Sequence, residues 1–348
     1  MKIRLFILIL FLSACSKKQS LIIPNLPTAI TNNAVALVEN DKGFEMYSFN
    51  GLLSGKSWQD ITNNGYRYSD GVWNQITMPL KSLPVLASTA VNIGSSVYLM
   101  GGYTVNEKGE EKSIAEIFKL DTKKQEWSIA TVMPVPVDDT VAVVYANRYI
   151  YLVSGWHDVD NVNLVQVYDV NHDKWFNASP FPAPAVFGHA GGIVDNKMVI
   201  CDGVKVVPKD DKIEGSKRAF VSSPVCQMGI IQETNLEKID WIDIPHHSNV
   251  AYYRMAATGD HKGNRIVFAG GSDNPYNYNG IGYDGIASQA SRHVFSYNIE
   301  SNEWVKHTAI VDKHMDHRSL LTDGEWFYIL GGMVSEQSVT NKIFKFKL

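Results

Sequence analysis

One type of strand recurs along this chain, and each copy ends in glycine. The six copies are Met46–Gly51 (MYSFNG), Val97–Gly102 (VYLMGG), Ile150–Gly155 (IYLVSG), Met198–Gly203 (MVICDG), Ile266–Gly271 (IVFAGG) and Phe327–Gly332 (FYILGG). The closing glycines are separated by 51, 53, 48, 68 and 61 residues. A period of about 50 residues marks an array of like units, each one supersecondary element. A second marker runs in phase with the first. Trp73, Trp127, Trp175, Trp241 and Trp304 each follow a strand and a polar turn, as in VYDVNHDKW and SYNIESNEW. A large aromatic at a fixed place in each unit packs one unit against the next.

Each unit reads as four antiparallel strands, a to d. Strand a is small and apolar, as in Ala190–Val194 (AGGIV) and Met255–Thr258 (MAAT), which suits six inner strands crowded around an axis. Strand b carries the glycines, and the tryptophan precedes strand d. The last unit stops after Asn341–Leu348 (NKIFKFKL), so its strand d is missing. Leu21–Pro24 (LIIP) is the expected substitute, and ring closure of that kind removes free sheet edges. The predicted fold is all-β: one domain over residues 21–348, a six-bladed β-propeller closed by the N-terminal strand. Hydrophobic content of 45% supplies a core. A net charge of −4 with no basic run inside the domain argues against nucleic-acid binding.

The first residues follow another logic. Lys2 and Arg4 precede the apolar run Leu5–Leu12, which is too short for a comfortable membrane span. Leu12-Ser13-Ala14-Cys15 then resembles a bacterial lipoprotein signal, and Ser16 resembles the residue of lipoproteins sent to the outer membrane. The expectation is a signal peptide over residues 1–14, lipidation at Cys15, and a tether over 15–20. The protein would then be lipid-anchored in the cell envelope, facing the periplasm. Cys201 and Cys226 fall on neighbouring predicted strands, so an exported chain could hold them as a disulfide or as two buried thiols.

The glycine and tryptophan markers resemble kelch repeats across the whole mature chain. Within that group, Phe187–Val194 (FGHAGGIV) leading to CDG, the Asn/Tyr/Gly loop after Gly271, and Asp316–Leu321 (DHRSLL) leading to ILGG resemble the bacterial N-acetylneuraminate epimerase (sialic acid mutarotase) family. The resemblance implies interconversion of sugar anomers. It also implies a glutamate directly after the fourth strand-ending glycine and an arginine a few residues on. Here Gly203 is followed by Val204, and the arginine corresponds to Arg218 beyond a longer loop. A non-catalytic module binding glycans or proteins is the rival reading, because one fold hosts many functions.

In a propeller, loops b–c and d–a surround one mouth of the channel. Counting back from each glycine gives a slot at the start of strand a occupied by Ala34, Ser88, Val141, His189, Arg254 and Arg318. Anomer exchange needs an acid and a base of near-neutral pKa, which favours histidine. His189, His157 and Asp158 are the candidates for proton transfer, with Arg218 from the resemblance. A guanidinium grips a carboxylate bidentately, so Arg254 and Arg318 are candidates for an acidic sugar. Asp139, Asp273, Asn274, Tyr276, Tyr278 and Tyr283 complete the expected sugar surface. His246-His247 and His314 lack the spacing of a closed metal site, so neither metal nor cofactor is expected.

Overall fold

The computed structural model describes residues 22–208, 218–307 and 311–348. Their regular structure is strand, apart from two single-turn 3-10 segments. Five four-stranded antiparallel sheets and one three-stranded sheet follow one another along the chain. Blade 1 holds Ala34–Asn40, Gly43–Phe49, Gly65–Ser69 and Val72–Ile76, and blade 6 holds Leu321–Thr322, Phe327–Leu330 and Ile343–Phe346. The inner strands of blades 2 to 5 are Thr89–Ile93, Val141–Tyr145, Ala190–Val194 and Ala256–Asp260. Together the six inner strands line an axial channel of about 240 Å³. It runs from Arg318 at one mouth to His261 on the opposite face. The protein is therefore a six-bladed all-β propeller. No helix among the described residues is long and apolar enough to cross a membrane.

Crowding at the axis explains the small inner residues. A Cβ on Gly259 would lie 1.8 Å from the carbonyl oxygen of Ile193, and one on Gly192 would lie 2.5 Å from the Thr258 carbonyl carbon. Only glycine permits that approach of neighbouring blades. The repeated glycine has a different cause. Gly155 has φ +123°, and a Cβ there would come within 2.8 Å of the Asp138 carbonyl oxygen. In each blade the residue after this glycine pairs with the d–a segment: Leu52 with Thr31, Tyr103 with Leu86, Trp156 with Asp138, Val204 with Phe187, Ser272 with Tyr253 and Met333 with Met315.

The tryptophans tie the blades together at the outside. Each indole N–H donates to the strand-d exit of the preceding blade. Trp127 Nε1 bonds Thr77 O at 2.9 Å, Trp175 bonds Thr131 Oγ1 at 3.2 Å, Trp241 bonds Ser179 O at 3.2 Å and Trp304 bonds Pro245 O at 2.6 Å. Trp73 of blade 1 donates to Pro24 O at 2.9 Å. The N-terminal segment thus stands where the strand-d exit of blade 6 would be. Leu26 N–H also donates to Asn341 O at 2.9 Å, and Asn341 Nδ2 to Leu26 O at 3.0 Å. The expected closing strand does not form as a ladder, however: no strand is assigned over residues 22–30. Pro24 and Pro27 have no N–H to give. Closure rests on single hydrogen bonds and on Leu26 and Ile30, buried against Tyr328 and Leu330.

Cys201 and Cys226 stand directly opposite each other on the second and third strands of blade 4 and form a disulfide. The expected signal run and Cys15 lie outside the described residues.

Candidate functional site: a charged collar at the channel mouth

At one mouth the d–a segments of all six blades meet in a closed ring. One residue of each segment has positive φ: Asn32, Ala87, Asp139, Gly188, Arg254 and Asp316. Backbone bonds join them around the axis. Asn32 N–H donates to Asp316 O at 3.3 Å, Asp139 to Ala87 O at 3.1 Å, Gly188 to Asp139 O at 3.0 Å, and Arg254 to Gly188 O at 2.8 Å. Two joints vary the theme. Ala87 N–H donates to the side-chain Oδ1 of Asn32 at 2.5 Å, and His317 N–H donates to Arg254 O at 3.2 Å. This collar corrects the slot counted from sequence. Arg254 belongs to the left-handed position itself, His189 follows it by one residue, and Arg318 follows it by two. The spacing to the glycine is 15 residues in blade 2 (Ala87 to Gly102) and 19 in blade 1 (Asn32 to Gly51), so counting back loses the register.

The collar side chains build a buried ionic quartet. Arg254 Nη2 meets Asp139 Oδ2 at 2.5 Å, and its Nη1 meets Asp316 Oδ1 at 3.0 Å. Arg318 reaches the same two carboxylates, with Nη1 on Asp139 Oδ1 and Nη2 3.4 Å from Asp316 Oδ1. Thr31 Oγ1 and Asn32 Nδ2 also donate to Asp316, at 2.7 and 3.1 Å. Two cations and two anions balance. Arg254 is only 2% exposed, and its guanidinium carbon lies 4.7 Å from the Tyr253 ring centre and 5.5 Å from that of Tyr276. Burial pushes Arg318 down to about 10. One group in this knot is left over: Arg318 Nε is buried with no hydrogen-bond partner among the described residues.

Beside the quartet sits Asp138, 2% exposed. Burial raises its carboxyl to about 8, against the opposing effect of a 2.6 Å bond from Ser113 Oγ. Ser113 belongs to a hairpin of blade 2 (Tyr103–Val105 with Glu111–Ser113) that leans on blade 3. Ser113 N–H donates to Asp158 Oδ1 at 3.0 Å, and Asp158 N–H returns to Ser113 Oγ at 3.1 Å. Above lies an aromatic wall. Phe220 stacks on Tyr283 with centres 4.3 Å apart, and Phe187 meets Trp156, Phe220 and Tyr253 edge-on.

The loop over residues 272–288 of blade 5 spans this mouth. Tyr276 is fully buried against Tyr253, their centres 5.0 Å apart. Tyr278 packs against Leu52, Leu86, Tyr103 and Val105 of blades 1 and 2. Asn274 Nδ2 donates to Asp284 Oδ1 at 3.2 Å, and Gln337 Nε2 of blade 6 donates to Ser288 O at 2.8 Å. Tyr283 is 38% exposed, and Asp273 is exposed.

The remaining candidates do not converge on the collar. His189 turns into the interface of blades 3 and 4, where its Nε2–H donates to Val153 O at 2.8 Å. Burial pulls it down to about 4. His157 donates Nδ1–H to Pro136 O at 2.7 Å from the rim. Arg218 is exposed, bonds Val159 O and lies 5.8 Å from the Trp156 ring centre. Val204, where the resemblance places a glutamate, is fully buried. Sequence reasoning missed Asp316, Ser113, Tyr103 and Phe220. Asp316 was findable, because it opens the DHRSLL run already singled out; the others sit on hairpins whose fold over the mouth leaves no periodic trace.

Comparison with known proteins agrees with this architecture. Residues 84–134 match the Kelch motif family model. Kelch-like protein 15 of Homo sapiens is 23% identical over 276 residues, 79% of this chain and 43% of that protein. Kelch-like protein 15 of Gallus gallus is 28% identical over 133 residues, 38% of this chain and 26% of that protein. The chain thus spans less than half the length of these curated relatives. The solved structure of YjhT superposes with a TM-score of 0.69 at 13% identity, covering 92% of this chain and 95% of that one. At that identity the likeness concerns the fold.

Proposed function

We propose that this kelch-type propeller is a sugar mutarotase or epimerase that exchanges anomers of N-acetylneuraminate or a related acidic sugar at the collar. The observation that carries the reading is Asp138. Its carboxyl, raised to about 8, lies beside two arginines and beneath an aromatic wall. A group with that pKa holds both protonation states near neutrality, which is what acid–base exchange at an anomeric centre asks for. Protonated Asp138 gives a proton to the ring oxygen as the ring opens, and the carboxylate takes one from the anomeric hydroxyl. Ser113 Oγ fixes the carboxyl through Oδ2. The Asp139 and Asp316 carboxylates hold the two guanidiniums in place, so a sugar carboxylate meets preformed cations. Arg318 Nε is the unmatched group such a ligand would satisfy, costing about 1–3 kcal/mol while unpaired. Substrate enters when the loop over 272–288 lifts. In this reading the chain works in the cell envelope, tethered through Cys15.

The test is anomer equilibration of freshly dissolved N-acetylneuraminate followed by proton NMR. The wild type should accelerate it, and Asp138→Asn should lose about 100-fold or more of that acceleration while retaining the fold. A wild type with no effect discards the catalytic reading. A second reading has its own observation. Val159, Val221 and Ile286, on the b–c loops of blades 3, 4 and 5, are 69%, 40% and 65% exposed. Such an apolar rim favours a non-catalytic module that docks a glycan or a protein. Saturable sugar binding without acceleration selects it.

A further inference from the structure

Away from the collar, three side chains of blade 4 converge beside the disulfide. Asp202, with a fully buried side chain, receives His246 Nε2 on Oδ1 at 2.5 Å and His247 Nε2 on Oδ2 at 2.8 Å. Tyr252 N–H adds a third bond to Oδ2 at 3.0 Å. The two imidazoles lie with centres 4.0 Å apart. Cys226 Sγ and one ring nitrogen from each histidine all lie within 4.8 Å of one another.

One outer contact of this cluster, on His246, is of the kind a metal ligand makes. His246 Nδ1 lies on the carbonyl oxygen of Ser248. With Nδ1–H given to that carbonyl, Nε2 donates to Asp202 while the ring is protonated and is the nitrogen left for an ion once the ring is neutral. A ring whose far N–H is fixed on a backbone carbonyl is the usual support of a metal-bound histidine. His247 is pinned between Phe295, 4.3 Å away, and Trp304, 5.3 Å away, and its Nδ1 is buried with no partner. His246 stands on the loop after the last strand of blade 4 with 13% of its side chain exposed. It can swing outward to the ligand separations of about 3.4 Å that a tetrahedral ion needs.

We propose that Asp202, His246, His247 and Cys226 form a zinc-type site that is closed to full coordination by the disulfide's reduction. With the disulfide intact, Cys226 sulfur is bonded to Cys201 and supplies no thiolate. A dithiol reductant transfers two electrons and two protons to the bridge, leaving two thiols and the oxidised reductant. Cys226 then releases its proton as it binds the ion. Two imidazoles, one carboxylate and one thiolate match the donor preferences of Zn²⁺. Cys201 is the expendable half of the bridge, because it adds nothing to the ligand set. The separation in sequence hid this site: a hairpin and two further strands of blade 4 lie between Asp202 and His246.

The two cysteines provide the test. Full-length protein carrying Cys15→Ser is compared with the further variants Cys201→Ser and Cys226→Ser, which lose the same disulfide. Zn²⁺ is titrated in competition with a chromogenic chelator. Cys201→Ser should bind one Zn²⁺ per chain without reductant, on the order of 100-fold or more tighter than Cys226→Ser. The parent should reach that affinity only after dithiothreitol. His246→Ala in the Cys201→Ser background should lose it. With Co²⁺, Cys201→Ser should show a thiolate-to-metal charge-transfer band that Cys226→Ser lacks. Equal affinity of the two serine variants, or a Co²⁺ adduct with no thiolate band, overturns the proposal. If either variant fails to fold by circular dichroism, the parent with and without reductant decides by the same two measurements.

Discussion

Two rings hold the six blades together, and they use different chemistry. The outer belt is made of side chains: five indoles, each donating to the exit of the preceding blade. The inner collar is made mostly of backbone: N–H groups passed from one left-handed residue to the next. A side-chain belt demands the same residue at every joint it ties, here those of blades 1 to 5. A backbone collar demands only a conformation, so its side chains are free to differ. They do differ: Asn32, Ala87, Asp139, Gly188, Arg254 and Asp316 share one role in the ring. The belt therefore carries the architecture, and the collar is where one blade can be made chemically unlike another.

That freedom has a cost, which the charges offset. Ala87 at φ 53° and Arg254 at φ 54° each sit in a region costing about 1–2 kcal/mol for a residue with a Cβ. The Asp–Arg quartet locks the latter. The largest expected effect therefore comes from breaking it. Arg254→Met leaves Asp139 and Asp316 buried with one cation fewer and should cost about 3–5 kcal/mol in urea denaturation. The double variant Arg254→Met/Asp139→Asn should cost less than the sum of its parts by about 0.5–3 kcal/mol. Strict additivity would mean that the quartet is not a coupled unit.

A smaller effect concerns the histidines beside the collar residues. His189 comes directly after Gly188, and His317 directly after Asp316. Burial holds His189 at about 4 and His314, whose Nδ1 lies 2.9 Å from His317 Nε2, at about 3. The unfolded chain protonates first, near 6.5. Stability is therefore intact above that pH and falls below it, by about 1.4 kcal/mol per pH unit for each histidine. Between pH 6.5 and 5 each should remove about 2 kcal/mol. Urea midpoints across that range measure the slope, and His189→Gln should lower it by one proton. An unchanged slope would put His189 in contact with solvent.

How much of this was legible follows the same division. The glycine that follows strand b and the tryptophan, which the structure places within strand d rather than before it, are fixed by steric contact and by a donor, so residue type reports them directly. The b–c loop of blade 5 announced itself by composition, and it does cover the mouth. The N-terminal segment does close the ring as its apolarity suggested, but Pro24 and Pro27 lack the N–H groups that a regular ladder needs. The collar was out of register because positive φ at Ala87 or Arg254 leaves no mark in residue type, and a-to-b turns of different lengths shift the count. Asp139 was visible as a charge, while its engagement with Arg318 from the last blade depends on ring closure. The Asp202 cluster was hidden for the same reason: its members are neighbours only once blade 4 is folded.

The smallest effect tests the belt at its weakest joint. Trp73 donates to Pro24, a residue of a segment that forms no strand, where Trp127 donates to Thr77 at the end of a regular strand. Both bonds are 2.9 Å long and exposed, so each should contribute about 1 kcal/mol. If the N-terminal segment is a true member of the belt, Trp73→Phe and Trp127→Phe should destabilise equally. Removing residues 1–25 should then erase the effect of Trp73→Phe and leave that of Trp127→Phe unchanged, because only the former has lost its acceptor. A Trp73→Phe cost that persists in the shortened chain would assign it to packing on Tyr68, 5.5 Å away between ring centres. The ring would then be closed by Leu26 and Ile30 rather than by the indole, and the belt would have five acceptors along the chain but only four that bear load.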